Sequence, residues 1–189
     1  MKHPTLLLVS ALALAACQNG GADETSTANA GSAAANFEVA KGTIREQIDQ
    51  ASDLSRFADA LKAAGLDKTL DGPGPYTVFA PTNAAFDKLP PGTADGLMQA
   101  GQKAQLTELI TAHIVPGAIT AADLGKAIDA GGGKAQLATI GGGNVTVTRD
   151  GNALLITDAS GGRARVVRAD ALQANGAVHA IDAVLQPAS

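Results

Sequence analysis

Near Lys134 the apolar period of this chain changes from about 3.6 residues to 2, and that switch restricts the fold more than any other feature. Before it the pattern is helical. Thr43-Ile44-Arg45-Glu46 has the form of a capping box and opens a short helix with Ile44 and Ile48 on one face. Asp53 is placed to cap a second helix, in which Leu54, Phe57, Ala58 and Leu61 recur at steps of three and four and Gly65 supplies the stop. Asp71-Gly72-Pro73-Gly74-Pro75 must turn, Tyr76 to Ala80 reads as a short buried strand, and Pro81 ends it. Thr82 or Asn83 then caps a small helix holding Ala85 and Phe86. After Leu89-Pro90-Pro91-Gly92 a further helical pattern uses Leu97, Leu106, Leu109 and Ile110 and runs towards His113-Ile114-Val115, where Pro116-Gly117 stops it. Thr120 to Asp123 opens one more helix, with Leu124, Ala127 and Ile128 on its apolar side.

Beyond Lys134, Val145 and Val147 alternate with Thr146 and Thr148, and Asp150-Gly151 carries strong hairpin chemistry into a return strand with Leu154 and Ile156. Ser160-Gly161-Gly162 turns again ahead of Val166 and Val167. Asn175-Gly176 reads as another hairpin turn, whose glycine admits positive backbone dihedrals, ahead of Val178-His179-Ala180-Ile181-Asp182. Helices gathered first and antiparallel strands last predict an α+β domain. With four Phe, one Tyr and no Trp, its core must be mainly aliphatic, and Phe79 and Phe86 supply scarce aromatic mass.

Upstream, Met1-Lys2 precedes an apolar run from Leu6 to Ala16 that is too short to span a bilayer, for which about 20 residues are needed. Its plan is that of a secretory leader. The ending Leu14-Ala15-Ala16-Cys17 resembles the lipobox of bacterial lipoproteins. That resemblance implies cleavage before Cys17 and a thioether-linked diacylglycerol on its sulfur. Residues 1–16 are then a signal peptide, 17–36 the lipidated cysteine and a flexible Gly/Ala/Ser/Thr/Asn-rich linker, and 37–187 the folded domain. Two or more acyl chains anchor a protein stably. Gln18 after the cysteine, by resemblance to lipoprotein sorting, points to the outer membrane, facing either the periplasm or the exterior. The net charge of −4 becomes more negative when Lys2 is lost, and Lys and Arg are scattered. No basic face for nucleic acid is therefore expected. Cys17 is the only cysteine, so its lipidation leaves no thiol for disulfides, zinc or nucleophilic chemistry.

Catalytic patterns fail on inspection. Gly133-Lys134 lacks the hydroxyl residue of a phosphate loop, since Ala135 follows, and Ile128 stands where the first glycine belongs. There is no His-Glu-x-x-His helix. Ser160, in Ala159-Ser160-Gly161, lacks the leading glycine of a nucleophile elbow. A triad of Ser160, one of the histidines and an aspartate would need convergent geometry that turn serines seldom meet.

Three segments carry a specific resemblance. Tyr76-Thr77-Val78-Phe79-Ala80-Pro81-Thr82-Asn83-Ala84-Ala85-Phe86, Leu109 to Gly117 around His113, and Asn175-Gly176-Ala177-Val178-His179-Ala180-Ile181-Asp182 through Pro187 resemble, in order and spacing, the signature blocks of the fasciclin domain family. The resemblance implies a wedge-shaped sandwich of about seven strands with helices packed along one edge. It also implies a role in adhesion, with no catalytic residues, no metal and no required cofactor. The motif residues Phe79, Pro81, Thr82, Asn83, Phe86, His113, Asn175, Gly176, His179 and Asp182 are read as structural, with Asp182 holding either backbone or the imidazole of His179. In some animal members a Tyr directly before the central histidine is linked to receptor adhesion; Ala112 stands here, which argues against recognition through His113 and for a buried, hydrogen-bonded imidazole. The function expected is a lipid-anchored, non-enzymatic envelope module that meets a protein or glycan surface. The alternative is a carrier or sensor of a small apolar ligand.

Overall fold

The structure, a computed structural model, describes residues 40–187; the predicted signal peptide and most of the linker, with Cys17, lie outside the described residues. Helix α1 (Ile44–Gln50) starts at the predicted capping box: the Thr43 hydroxyl accepts the Glu46 N–H and the Glu46 carboxylate accepts the Thr43 N–H. A 3-10 turn (Ser52–Leu54) leads into α2 (Ser55–Ala64), closed by Gly65 at φ +77°. Asp53 does not cap α2. It pairs instead with Arg168 at 3.0 Å, because the 3-10 turn shifts the helix start beyond its reach.

After α3 (Asp67–Asp71) come β1 (Tyr76–Pro81), α4 (Asn83–Asp87), α5 (Thr93–Leu97) and α6 (Lys103–Thr111). The single helical pattern expected through Leu97 and Leu106 is thus broken in two. A 3-10 turn at Ala100–Gln102 separates the halves, since Gly101 is a poor helix former and no apolar residue between Met98 and Leu106 larger than alanine holds the stretch to the core. Nor does the helix reach Val115. It stops at Thr111, and Ile114–Pro116 is strand β2. Helix α7 (Ala121–Ala130) begins at the Thr120/Asp123 capping box, and β3 (Lys134–Ala138), β4 (Asn144–Asp150), β5 (Ala153–Thr157), β6 (Arg163–Gln173) and β7 (Gly176–Ile181) follow.

The strands form one seven-stranded sheet in the order β2-β1-β7-β6-β5-β4-β3. It is mixed rather than wholly antiparallel: β1 and β7 run parallel in register, from Tyr76 opposite Gly176 to Pro81 opposite Ile181. The two ends of the sheet approach one another, where the Ile140 N–H meets the Ile114 carbonyl at 2.9 Å. The result is a nearly closed, wedge-like body with helices alongside, the architecture that the resemblance implies.

Two apolar clusters fill it. One lies between helices and sheet and includes Ile44, Phe57, Leu61, Val78, Ala80, Phe86, Ile110, Ile114 and Val178. The other, inside the curl, includes Phe79, Val115, Leu124, Ile128, Val147, Ile156 and Ile181. Alternation along β1 and β7 deals successive side chains to opposite clusters, so both strands are covered on both faces, as buried parallel pairs are. A fully buried Phe such as Phe79 contributes about 3 kcal/mol from its area alone.

Candidate functional site

The three motif blocks converge on the β1/β7 pair. His113 follows the last turn of α6. Its Nδ1 lies 2.8 Å from the Leu109 carbonyl, one of the acceptors a helix end leaves without a partner. Its Nε2 lies 3.0 Å from the Leu185 amide. An amide only donates, so Nε2 accepts and Nδ1 carries the proton: the imidazole is the neutral tautomer. No part of the residue is exposed, and Phe57 packs against the ring at 5.9 Å. Burial drives its pKa down to about 4, against the opposing pull of the Leu109 carbonyl and the Asp158 carboxylate. This imidazole fastens the C-terminal segment to α6 and presents nothing to a receptor.

His179, on β7, faces the other cluster and stacks on Phe79 at 5.6 Å. Its Nδ1 accepts the Asp170 N–H at 3.1 Å, and its Nε2–H donates to the Ile119 carbonyl at 2.9 Å. Burial lowers its pKa below the ordinary histidine value, despite the carbonyl and Asp170. Asp182 takes the backbone alternative: it accepts the Arg165 N–H at 2.7 Å and the Lys88 ammonium at 3.1 Å. Burial acts to raise its pKa, but those two donors outweigh it and hold the carboxyl below its usual range.

The two motif asparagines have a role that sequence reading missed: each caps a helix distant in sequence. Thr82, not Asn83, is the N-cap of α4, accepting the Ala85 N–H at 3.3 Å just after buried Pro81. Asn83 accepts the Arg56 N–H in the first turn of α2 at 3.1 Å and donates to the Ser52 carbonyl at 3.0 Å. It thereby supplies the cap that Asp53 does not. Asn175 accepts the Ile44 N–H at the start of α1 at 2.8 Å and donates to the carbonyls of Leu70 and Gly72 at 2.7 and 2.9 Å. The β6–β7 turn itself is centred on Ala174 and Asn175, since Gln173 pairs with Gly176. Gly176 (φ +147°) is therefore the first residue of β7 and not a turn centre. A Cβ there would stand 1.8 Å from the Tyr76 carbonyl oxygen, so it is close approach of β1 that demands glycine.

Ser160 is not brought to either histidine by any hydrogen bond. Its hydroxyl donates to Asp158 at 2.7 Å. The buried Asp158 carboxylate also accepts the Ser160, Gly162 and Gln186 amides. A serine proton held directly by a carboxylate, with no imidazole between, closes a turn and does not prime a nucleophile. Among the described residues no group of three His, Cys, Asp or Glu side chains could hold a metal ion. A cleft of about 570 Å³ opens between the start of α7, the β4–β5 hairpin and β6; Ala121, Leu154, Val166 and Val167 line it, and Arg149 overlooks it. Val167 is 55% exposed there.

Comparison with known proteins bears on this arrangement. A family model described as the fasciclin domain matches residues 52–187. The chain is 36% identical to protein sll1483 of Synechocystis sp. over 146 residues, which cover 77% of this chain and 73% of that protein. It is 42% identical to immunogenic protein MPB70 of Mycobacterium bovis over 114 residues, 60% of this chain and 51% of that one. It is 30% identical to transforming growth factor-beta-induced protein ig-h3 of Oryctolagus cuniculus, spanning only 19% of that longer protein. Among solved structures, a FAS1 domain pair from the insect cell adhesion molecule Fasciclin I shares the fold, with a TM-score of 0.69 at 20% identity over 77% of this chain and 51% of that one.

Proposed function

Because the chain belongs to the fasciclin domain family, we propose that it is a lipid-anchored, non-enzymatic binding module of the cell envelope, attached through acylated Cys17 to the outer membrane and adhering to a protein or glycan surface. The observation that supports this most is the fate of the motif residues. His113, His179, Asn83, Asn175 and Asp182 are occupied by backbone and neighbouring side chains, so the motif's polar groups hold the fold. Contact with a partner then falls to the exposed surface, where many weak contacts sum and several copies on one membrane raise avidity. The description of Fasciclin I as a cell adhesion molecule agrees with this reading.

Radioactive fatty-acid labelling tests the anchor. The wild-type chain takes up label and fractionates with membrane; Cys17→Ser takes up none and moves to the soluble fraction. An unlabelled wild type refutes the anchor. Crosslinking on intact cells followed by pull-down tests adhesion, and recovery of no envelope protein or glycan counts against it. The cleft favours a second reading, carriage of a small apolar molecule, because its volume lies in the usual range of ligand sites. A lipid or pigment released from the purified protein and found by mass spectrometry would support that reading.

A further inference from the structure

Asp170 is the one non-glycine residue with positive φ (+60°) among the described residues. It sits where the β6–β7 pairing slips, between Arg168 and Ala171. L-residues resist such a backbone, and it persists only where surrounding contacts over-determine it. Two contacts do so here. The Asp170 N–H is held by His179 Nδ1 at 3.1 Å, and the Asp170 carboxylate accepts the Ala121 N–H at 2.6 Å. His179 Nε2–H also holds the Ile119 carbonyl, two residues before α7. One imidazole and one carboxylate therefore tie the bulge of β6 to the start of α7. Those are two walls of the 570 Å³ cleft, since Ala121 and Ala122 line it from one side and Val166, Val167 and Ala169 from the other.

We propose that His179 and Asp170 form an acid-sensitive latch that sets the separation of these two walls. When His179 takes a proton, Nδ1 becomes a donor facing the Asp170 N–H, and that bond is lost. The Asp170 carboxylate swings from the Ala121 N–H to the new imidazolium N–H. Asp170 then leaves its strained backbone, the first turn of α7 loses its long-range partner, and the cleft changes shape. The groups facing the ring are few. Strand β1 offers Phe79, the segment before α7 offers the Ile119 carbonyl, β7 itself offers apolar neighbours, and β6 offers Asp170, whose charge attracts the proton. Burial acts the other way and places the event below the ordinary histidine range. The inference goes beyond adhesion, since it concerns the domain's own response to acid whatever its partner.

Amide and imidazole resonances of the purified full chain, followed from pH 8 to pH 4.5, test it. The Asp170 and Ala121 amides should shift together with one midpoint, shared by the His179 ring and lying below 6.5, while the Leu185 amide on His113 stays in place. His179→Gln, which donates and accepts but does not titrate, should flatten both curves. Asp170→Gly, which adopts positive φ without strain and lacks the carboxylate, should uncouple Ala121 from the ring even if the glutamine variant fails to fold. The latch is refuted by amides that stay still while His179 titrates. It is refuted equally by shifts that persist in His179→Gln, by an Ala121 shift that still follows the ring in Asp170→Gly, or by global unfolding before the shifts begin.

Discussion

Asn175→Ala removes more than a turn residue. The side chain is buried and makes three hydrogen bonds, to the Ile44 N–H and to the Leu70 and Gly72 carbonyls. Alanine leaves all three backbone groups without partners. The first two contacts are buried and the third partly so, so water reaches at most the last. A stranded buried group costs about 1–3 kcal/mol, which gives roughly 3–5 kcal/mol for the site. Out of the 5–15 kcal/mol typical of a domain, that is a large share. At about 2–4 °C per kcal/mol for a chain of this size, the melting temperature should fall by about 6–20 °C. Urea unfolding followed by far-ultraviolet ellipticity is the assay, since no tryptophan is present. The midpoint should move to lower urea with the slope unchanged. Asn175→Asp sharpens the test: it keeps an acceptor for Ile44 but turns a second oxygen on two carbonyl oxygens, and should be at least as damaging near neutral pH. Asn152→Ala, at the exposed hairpin tip, is the control. A loss at Asn175 no larger than at Asn152 would refute the remote-cap reading.

Acid should weaken the domain through His113. Its pKa is near 6.5 when unfolded and about 4 when folded, so the unfolded chain binds the extra proton between those values. The stability it contributes is therefore complete above pH 6.5 and lost as pH falls to 4. At 1.36 kcal/mol per unit that is about 3 kcal/mol, and His179 acts in the same direction. Melting temperature against pH reads this out; a profile flat from pH 7 to pH 4, or one as steep in His113→Gln as in the wild type, contradicts it. Gly176→Ala should prevent native pairing of β1 with β7, because its Cβ overlaps the Tyr76 carbonyl; soluble variant with wild-type melting would show the approach is not required.

The helix starts at Thr43 and Thr120 were legible because a capping box is a local pattern of four residues. The change of period at Lys134 announced the strand-rich half, and Asp150-Gly151 marked its first hairpin one residue early: Asp150 pairs with Ala153, so the turn is centred on Gly151, at φ +63°, and Asn152. What stayed hidden is long-range. Asn175 and Ile44 are 131 positions apart, so nothing local distinguishes a remote cap from a turn asparagine. The parallel partner of β1 was equally hidden: a strand covered on both faces reads as an unbroken apolar run, with no alternation to name its neighbour. Asp158 could have been suspected, since Asp158-Ala159-Ser160-Gly161 has the chemistry of a side-chain-capped turn. Its further grip on Gln186, across the fold, could not.

On the proposed function, recognition and stability fall on different residues of this domain, and the difference is measurable. His113 is fully buried and bonded at both nitrogens, so His113→Ala opens a cavity beside Phe57 and strands the Leu185 amide. Large losses in stability come from such mechanisms. Val167 is more than half exposed on the cleft, and surface changes of that kind usually stay within about 0.5 kcal/mol. Val167→Glu should therefore leave melting nearly unchanged while reducing binding at that surface. His113→Ala should lower the melting temperature sharply, while the folded fraction below it still binds. Binding lost in His113→Ala at unchanged melting would place the imidazole in the recognition surface after all, and the separation of roles would fail at its best-defined residue.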